Sequence, residues 1–529
     1  MHGSNEELRA TVATLLDRAH IRDVLMQHCR GIDRCDAQSV ASLYHPDASI
    51  WFGDHHFSGA TAGADMVAWK QQTTDVTSHG LSNYRIEVNG ARAAAESYCL
   101  VMEWMGQEGV QRLLYGALRF VDRLENRGDG WKIAHRQVAV DASGFIPFQG
   151  FPPIPSRPQP SRDRTDPSYA AFASLAAESA NPGGTASASQ NLLDKALIHD
   201  TLMLYCRGVD RYDADIVSSV FHADARADYP GHKFDGLNIG ASLTDLMRRT
   251  MYVTSHGLTT VNIEVAGNLA VSEAYGYSMD LHLVNGEQRL MFSATRYIDR
   301  FEKRDGSWKI SDRVVLSDGT GYIPYEQLPN PGFGATDRSD SSYAVLAGIE
   351  APEPDQSVQA RDANGEPSAA DIRWLADREA ITDVFMQYCR GVDRRDAQLL
   401  GDAYHPDAHD DHSPMIFTGE TVGQGIVDWI SRVFSMTSHA TTTRNIRIHG
   451  DRAAAEAFVA TTHLQSSASG PRLLLALARY VDQLEKRAGR WKLLDRKVIC
   501  DAVGYIPFEQ VPSGQTLVPA GEDPACAAT

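Results

Sequence analysis

The 529-residue chain has little of what would mark it for a membrane, for export or for nucleic acid. It contains no long uncharged apolar run, and a bilayer core needs about 20 consecutive apolar residues, so no transmembrane helix is expected. The start, MHGSNEELRATVATLLDRAH, has no charged region followed by an apolar core and a small-residue cleavage site, so no secretory signal is read and a cytoplasmic location is expected. Cysteine is scarce. Seven residues, an odd number without a CxxC pair, suit reduced buried thiols and argue against a disulfide framework or zinc ribbon. Positive charge is in deficit: 50 Lys and Arg face 68 Asp and Glu, and the resulting net charge of −18 repels a phosphate backbone and an anionic bilayer alike. Neither nucleic acid nor membrane is therefore an expected partner. No glycine-rich phosphate loop occurs and no metal-ligand set recurs, so no cofactor and no metal are expected.

What the chain does have is a repeat. CRGIDRCDA at Cys29 returns as CRGVDRYDA at Cys206 and CRGVDRRDA at Cys389. A TSH triplet ends at His79, His256 and His439, and WK followed by an arginine gives Arg136, Arg313 and Arg496. From Asp33, Asp210 and Asp393 the histidine follows 46 residues later each time, and the arginine 103 residues later. Three tandem copies of one domain are implied, each within the usual size of a single core. The boundaries read as domain 1 at 1–165 with a C-terminal arm, a linker at 166–188, domain 2 at 189–340, a linker at 341–368, domain 3 at 369–515 and a tail at 516–529. Pro, Gly, Ser and Asp clusters in the linkers cannot bury a core, although aromatic residues at their starts could dock as arms.

Within each copy helices come first and sheet last. Leu25, Cys29 and Asp33 fall at i, i+4 and i+8, as do Leu202, Cys206, Asp210 and Phe385, Cys389, Asp393, so an apolar helical stripe ends in an acid. A second short helix carries ASLYHPDA or its equivalents, and a third spans roughly Met66–Thr74, Leu243–Thr250 and Ile426–Phe434. Runs such as RIEV, ESYCLVMEW and RLLYGALRFVDRLE then predict strands, with a GDG or DG hairpin turn before WKIAHRQVAV. The fold class is α+β, with helices packed on one face of a curved antiparallel sheet.

The helical acid in GIDR or GVDR, the TSH triplet and the closing FVDRLENRGDGWKIAHR, YIDRFEKRDGSWKISDR and YVDQLEKRAGRWKLLDR together resemble the SnoaL-like branch of the nuclear transport factor 2-like superfamily. The resemblance implies three conical α+β barrels, each holding one apolar pocket. It also implies, from the branch typified by scytalone dehydratase, the bile acid dehydratase and hexachlorocyclohexane dehydrochlorinase, a catalytic Asp–His dyad at Asp33 and His79, Asp210 and His256, and Asp393 and His439. A neutral imidazole can take a proton from carbon near neutral pH while the carboxylate fixes its tautomer. Tyr205 and Tyr388 match a tyrosine of the bile acid enzyme, where the first copy has His28. Asp280 and His463, with Glu103 in the first copy, match a second polar group. Arg136, Arg313 and Arg496 match an arginine credited with stabilising a leaving group or substrate. Ion pairs of the arginines with Asp312 or Asp495 are the alternative reading.

These residues lead to the expectation of a cofactor-independent lyase that dehydrates a small, hydroxylated, largely apolar substrate. An isomerase, a retro-aldol deformylating lyase using the same base, and a non-catalytic small-molecule binding module are the alternatives. The second copy is expected to contribute most activity, because it alone keeps Tyr205, Asp210, His256, Asp280 and Arg313 together. Homotrimeric members of the family imply an intramolecular pseudo-trimer within a monomeric chain, with arms beginning at Gly144, Gly321 and Gly504. His409, Asp410, Asp411 and His412 look like metal ligands but read as a turn loop, as do Asp54, His55 and His56. His45, His222 and His405 read as structural residues favoured by a helix C-terminus. Cys29, Cys206 and Cys389 read as core thiols.

Overall fold

The computed structural model describes residues 5–107, 110–151, 158–179, 187–284, 287–328, 335–349, 366–467 and 470–510. The tail at 516–529 and most of the second linker lie outside the described residues. The first copy runs α1 (Asn5–Asp33), α2 (Ala37–Ser42), β1 (Tyr44–Phe52), β2 (His55–Ser58), α3 (Ala62–Thr73), β3 (Val76–Asn89), β4 (Arg92–Gln107), β5 (Val110–Asn126), β6 (Trp131–Ile146) and β7 (Gln149–Gly150). The other two copies repeat this order. Among the described residues no helix is long and apolar enough to cross a membrane.

α1 ends where the sequence places its acid. Two residues beyond Asp33, Cys35 turns into the left-handed region with φ 52°, as Tyr212 and Arg395 do after the other two acids at 48° and 54°. Asp36 then accepts the Ser39 N–H and starts α2. Gly31 lets α2 pack against α1, since a Cβ there would stand 2.8 Å from Val40 Cγ2. The HPDA segment, read as part of the second helix, is instead the start of β1, because β1 pairs in parallel with β6 from Tyr44 onward. α3 begins at Ala62, earlier than its apolar pattern suggested.

The sheet has the order β2-β1-β6-β5-β4-β3, antiparallel apart from β1 with β6. Bulges between Leu81 and Tyr84, and at two places along β5 and β6, bend it around α1. Leu25, Cys29 and Ile32 of α1 meet Leu81, Phe120 and Ile133 of the sheet in the first core. Equivalent cores fill the other two cones, with Cys206 and Cys389 fully buried in them.

The three cones close into a ring. β7 pairs with Ser307–Ile323 of the second copy, Glu326–Gln327 pairs with Arg490–Ile506 of the third, and Glu509–Gln510 returns to pair with β6 of the first. Each arm thus extends its neighbour's sheet, a head-to-tail contact used three times. A shared apolar cluster joins the copies, with Trp104 and Tyr115, Tyr277 and Phe292, and Leu475 and Leu477 among its members.

The stretches read as linkers carry more structure than their composition suggests. Pro167–Ser179 and Ser341–Ala347 are helices, the first burying Leu175. Asp166, just before the first, accepts bonds of 2.8 and 2.7 Å from Arg296 of the second copy, which also binds Glu273 and Asp318. Asp340 binds Arg479 of the third copy in the same way, at 2.9 and 2.8 Å. Arg30 and Arg207, from the first helices of the preceding copies, reach the same clusters through Glu273 and Glu456. A composition count misses these clasps because each rests on a single carboxylate.

Arg296→Ala should therefore remove the cation that three buried carboxylates share, leaving them only Arg30 and Arg34, and cost about 3–5 kcal/mol, whereas Arg300→Ala, which removes an exposed pair with Glu178, should cost about 1 kcal/mol or less. Urea denaturation of the full chain carrying each substitution checks the difference.

Candidate functional site

The three dyads share one geometry. The acid at the end of the first helix lies fully buried, and its Oδ1 stands 2.6 Å from the histidine Nδ1 in each of the pairs Asp33–His79, Asp210–His256 and Asp393–His439. Its Oδ2 accepts the backbone N–H of the same histidine at 2.9 Å in each copy. One carboxylate thus holds both the strand and the imidazole, which assigns the proton to Nδ1 and leaves Nε2 for a substrate. Thr254 and Thr437 add hydroxyl donors to Asp210 and Asp393 at 3.4 and 3.0 Å. Burial pulls the His256 imidazole down, but Asp210 and then Asp280 outweigh it, and the net shift is upward from the ordinary value.

Around this common pair the three cones differ. In the second, His256, Tyr205 and Asp280 line one cavity of about 670 Å³ with an apolar aromatic and methionine wall. Tyr205 bonds Tyr229 through their hydroxyls at 2.6 Å, and burial holds the Tyr205 phenol well above its ordinary value. Ser278 donates to Asp280 Oδ2 at 3.1 Å, while Asp280 Oδ1 is buried without a hydrogen-bond partner among the described residues. Burial raises the Asp280 carboxyl, against the opposing pull of His256. The first copy roofs this cavity with Trp104, Phe148, Phe151 and Pro158 to Pro160. Gly319 is needed where Trp104 crosses, since a Cβ there would lie 2.3 Å from its ring.

The first cone is nearly filled. Its cavity measures about 40 Å³, and Lys70 projects into it from α3 to pair with the buried Glu103. His28, at the tyrosine position, contacts the Tyr44 hydroxyl through Nδ1 at 3.1 Å, and burial followed by Arg136 and His79 holds it well below its ordinary value. In the third cone Tyr388 meets His412 Nε2 at 3.1 Å, and His412 Nδ1 is bound by Asp410, whose other oxygen takes the Tyr404 hydroxyl at 2.5 Å. His463 stands edge-on to His439 with ring centroids 5.1 Å apart, and burial followed by the neighbouring His439 holds it well below its ordinary value.

The arginines pair with different acids from those read in the sequence, and Arg136 lines the cavity of the first cone. Arg136, Arg313 and Arg496 are fully buried and grip Asp122, Asp299 and Asp482 with two hydrogen bonds each, between 2.6 and 2.8 Å. The partners are cross-strand neighbours, not Asp312 or Asp495. Arg313 lies behind Tyr205, its guanidinium 4.0 Å from the ring, and so supports the cavity wall instead of lining it. Arg496 supports Tyr388 in the same way at 4.2 Å.

His409 to His412 form the end of a strand, Tyr404–His412, and not a turn loop. Strand alternation separates them: Asp410 is buried in the cone, whereas His409 faces outward toward Asp495 at 3.2 Å. Among the described residues no group of three or more His, Cys, Asp or Glu is placed to hold a metal ion. His55 and His56 are exposed on β2. His45, His222 and His405 do act structurally, but each bonds a strand carbonyl, of Glu125, Glu302 and Glu485 at 2.9 to 3.0 Å, and not a helix end. Tyr229, Ser278, Lys70 and the Tyr388 partner His412 were missed as site residues. Lys70 had a signal, since Met247 and Ile430 hold its position in the other copies.

Comparison with known proteins places this geometry. The profile of the SnoaL-like domain matches residues 13–137, 190–314 and 373–497. An uncharacterized protein, Rv2910c of Mycobacterium tuberculosis, is 27% identical over 132 residues, 24% of this chain and 86% of that protein. Among solved structures, the hexachlorocyclohexane dehydrochlorinase LinA-type3 from Novosphingobium barchaimii is 21% identical, covering 27% of this chain and 94% of that one with a TM-score of 0.23. Kfla4162 from Kribbella flavida is 22% identical, covering 24% and 93% with a TM-score of 0.23.

Because the folded pKa of His256 is raised, its ion pair with Asp210 contributes stability that is full below the unfolded value of about 6.5 and is lost as the pH rises through the higher folded value. The stability gap between the unchanged protein and Asp210→Asn should accordingly shrink from pH 6 to pH 9 in urea denaturation. A gap that widens over that interval contradicts the assignment.

Proposed function

Because the chain belongs to the SnoaL-like domain family, in three tandem copies, we propose that it is a cofactor-independent lyase that removes water from a small, hydroxylated, largely apolar substrate, chiefly in the second cone. The observation that carries this reading is the cavity of about 670 Å³ with His256, Tyr205 and Asp280 on its wall, within the range that encloses a drug-sized molecule. His256 Nε2 takes the acidic carbon proton, and Asp210 stabilises the imidazolium that forms. Tyr205, held protonated by burial and braced by Tyr229 and Arg313, donates a hydrogen bond to the substrate oxygen. The hydroxyl departs as water with the proton that His256 has taken from carbon, and Asp280 on the same wall helps Asp210 to hold the imidazolium until it is given up. The first cone, occupied by Lys70 and Glu103, leaves little room for the same substrate. The third keeps Asp393, His439, Tyr388 and His463 with a different second network.

The test is incubation of the full chain with hydroxylated steroids, aromatic diols and lignin-type dimers, followed by mass spectrometry. Loss of water is expected, with His256→Ala lowering turnover about 10²–10⁴-fold and His79→Ala leaving it near that of the unchanged protein. Equal losses in the two variants contradict the ranking of the cones. Loss of formaldehyde assigns the same base to retro-aldol cleavage, and tight binding with no mass change assigns a binding module.

A further inference from the structure

Where the three first helices meet on the pseudo-threefold axis, beside the strand residues that follow the dyad histidines, a separate cavity of about 140 Å³ is lined in part by charged side chains. Its charges can be counted by symmetry. Arg18, Lys195 and Arg378 occupy one position of the three copies, and Asp23, Asp200 and Asp383 another. They pair cyclically around the axis: Arg18 with Asp383 at 2.5 and 3.0 Å, Lys195 with Asp23 at 2.8 Å, and Arg378 with Asp200 at 2.8 Å. This ring is neutral. Three further charges break the symmetry. Arg22 replaces His199 and Thr382, Glu379 replaces Ala19 and Ala196, and Arg444 replaces Tyr84 and Val261.

Arg22 and Glu379 neutralise each other, with the Arg22 Nη2 at 2.9 Å from both carboxylate oxygens. Arg444 is left over. Among the described residues its guanidinium donates only to the carbonyl and hydroxyl of Thr441, at 3.2 and 3.3 Å. Burial, then Arg22 and Arg378, pull its guanidinium down to about 10, the mark of a cation among cations. His199 adds no further positive charge, since burial and Arg378 hold it well below its ordinary value. The same cavity is bordered by two buried hydroxyls without a hydrogen-bond partner among the described residues, Ser82 Oγ and the Tyr84 hydroxyl, and by Arg18 Nε, which lies 3.4 Å from Glu379 Oε2. Ser82 is 3% exposed and Tyr84 8%, so both lie in places where an unmet donor is costly.

We propose that this axial cavity binds one small oxyanion, of phosphate or sulfate size, held by Arg444 and by the unmet hydroxyl donors of Ser82 and Tyr84. One surplus positive charge, a planar guanidinium fork and hydroxyl donors around a small volume are the chemistry that recognises such an ion. The volume corresponds to a few water molecules, which admits an inorganic oxyanion or a short carboxylate and excludes a nucleotide or a folded chain. The anion would neutralise the point where the three first helices converge, and so would tie the ring together at a place remote from the cones' own cavities.

The experiment is isothermal titration of the full chain with sodium phosphate, sodium sulfate and sodium acetate at constant ionic strength. Saturable binding of one phosphate or sulfate per chain is expected, with acetate as the arm that distinguishes a carboxylate ligand. Two substitutions by the residue another copy carries at the same position should move the affinity in opposite directions. Arg444→Val removes the surplus cation and should weaken binding at least about tenfold, as expected for loss of a charge-assisted bidentate donor. Glu379→Ala adds a second surplus cation and should tighten it, and it tests the proposal even if the first variant fails to fold. Absence of saturable binding by all three salts overturns the proposal. So does binding that neither substitution alters.

Discussion

The rest of the structure depends on where one buried carboxylate sits. Asp33, Asp210 and Asp393 end their helices and accept both the backbone N–H and the imidazole Nδ1 of a histidine on the first long strand. A buried acid in that place is tolerable only because both its oxygens are satisfied. In satisfying them it fastens helix to sheet, fixes the mouth of the cone and turns the imidazole so that Nε2 is the nitrogen left for chemistry. The left-handed residue two positions on and the glycine two positions before carry the chain away sharply enough to keep the acid at the helix end. The same two oxygens make the same two contacts in all three copies, where the spacing from acid to histidine is identical.

Covalent fusion lets the copies diverge in a way a homotrimer cannot. The interfaces remain equivalent: each arm adds to the next sheet, and each buried arginine, Arg119, Arg296 or Arg479, gathers carboxylates there. The interiors do not. One cone carries a Lys70–Glu103 pair, one a pair of bonded tyrosines, and one a Tyr388–His412–Asp410 chain. The cavity of the second cone is also roofed by its neighbour, so Trp104 of the first copy shapes the pocket of the second. A cone with a reduced cavity therefore still serves the ring, and still serves the site next door.

Much of this was legible in the sequence, and for physical reasons. Periodicity marks the stripe through Leu25 and Cys29 because a helix on a sheet buries one face, and the acid that ends the stripe is conspicuous for the same reason. The repeat multiplied a weak pairing of Asp with His into one that recurs at fixed spacing. What could not be read was register. Arg313 pairs with Asp299 across strands and not with adjacent Asp312, because neighbours along a strand face opposite sides. The alternation that separates His409 from Asp410 dissolves an apparent metal cluster on the same principle. Tyr229 and Lys70 reach their cavities from elements whose distance from the dyad depends on how the sheet curves. The Pro167–Ser179 helix was obscured by the proline and serine around it, although Tyr169, Phe172 and Leu175 supply its docking face.

In each copy the buried carboxylate fixes the tautomer of the dyad histidine through its Nδ1 contact. Nitrogen-15 spectra of the histidine-labelled full chain at pH 8.5, assigned with His79→Gln, His256→Gln and His439→Gln variants, test it without any substrate. The account predicts that the neutral forms of all three carry their proton on Nδ1, and that Asp210→Asn perturbs the His256 signals alone among the dyads. Neutral His256 with its proton on Nε2, or a His256 spectrum indifferent to Asp210→Asn, would contradict it.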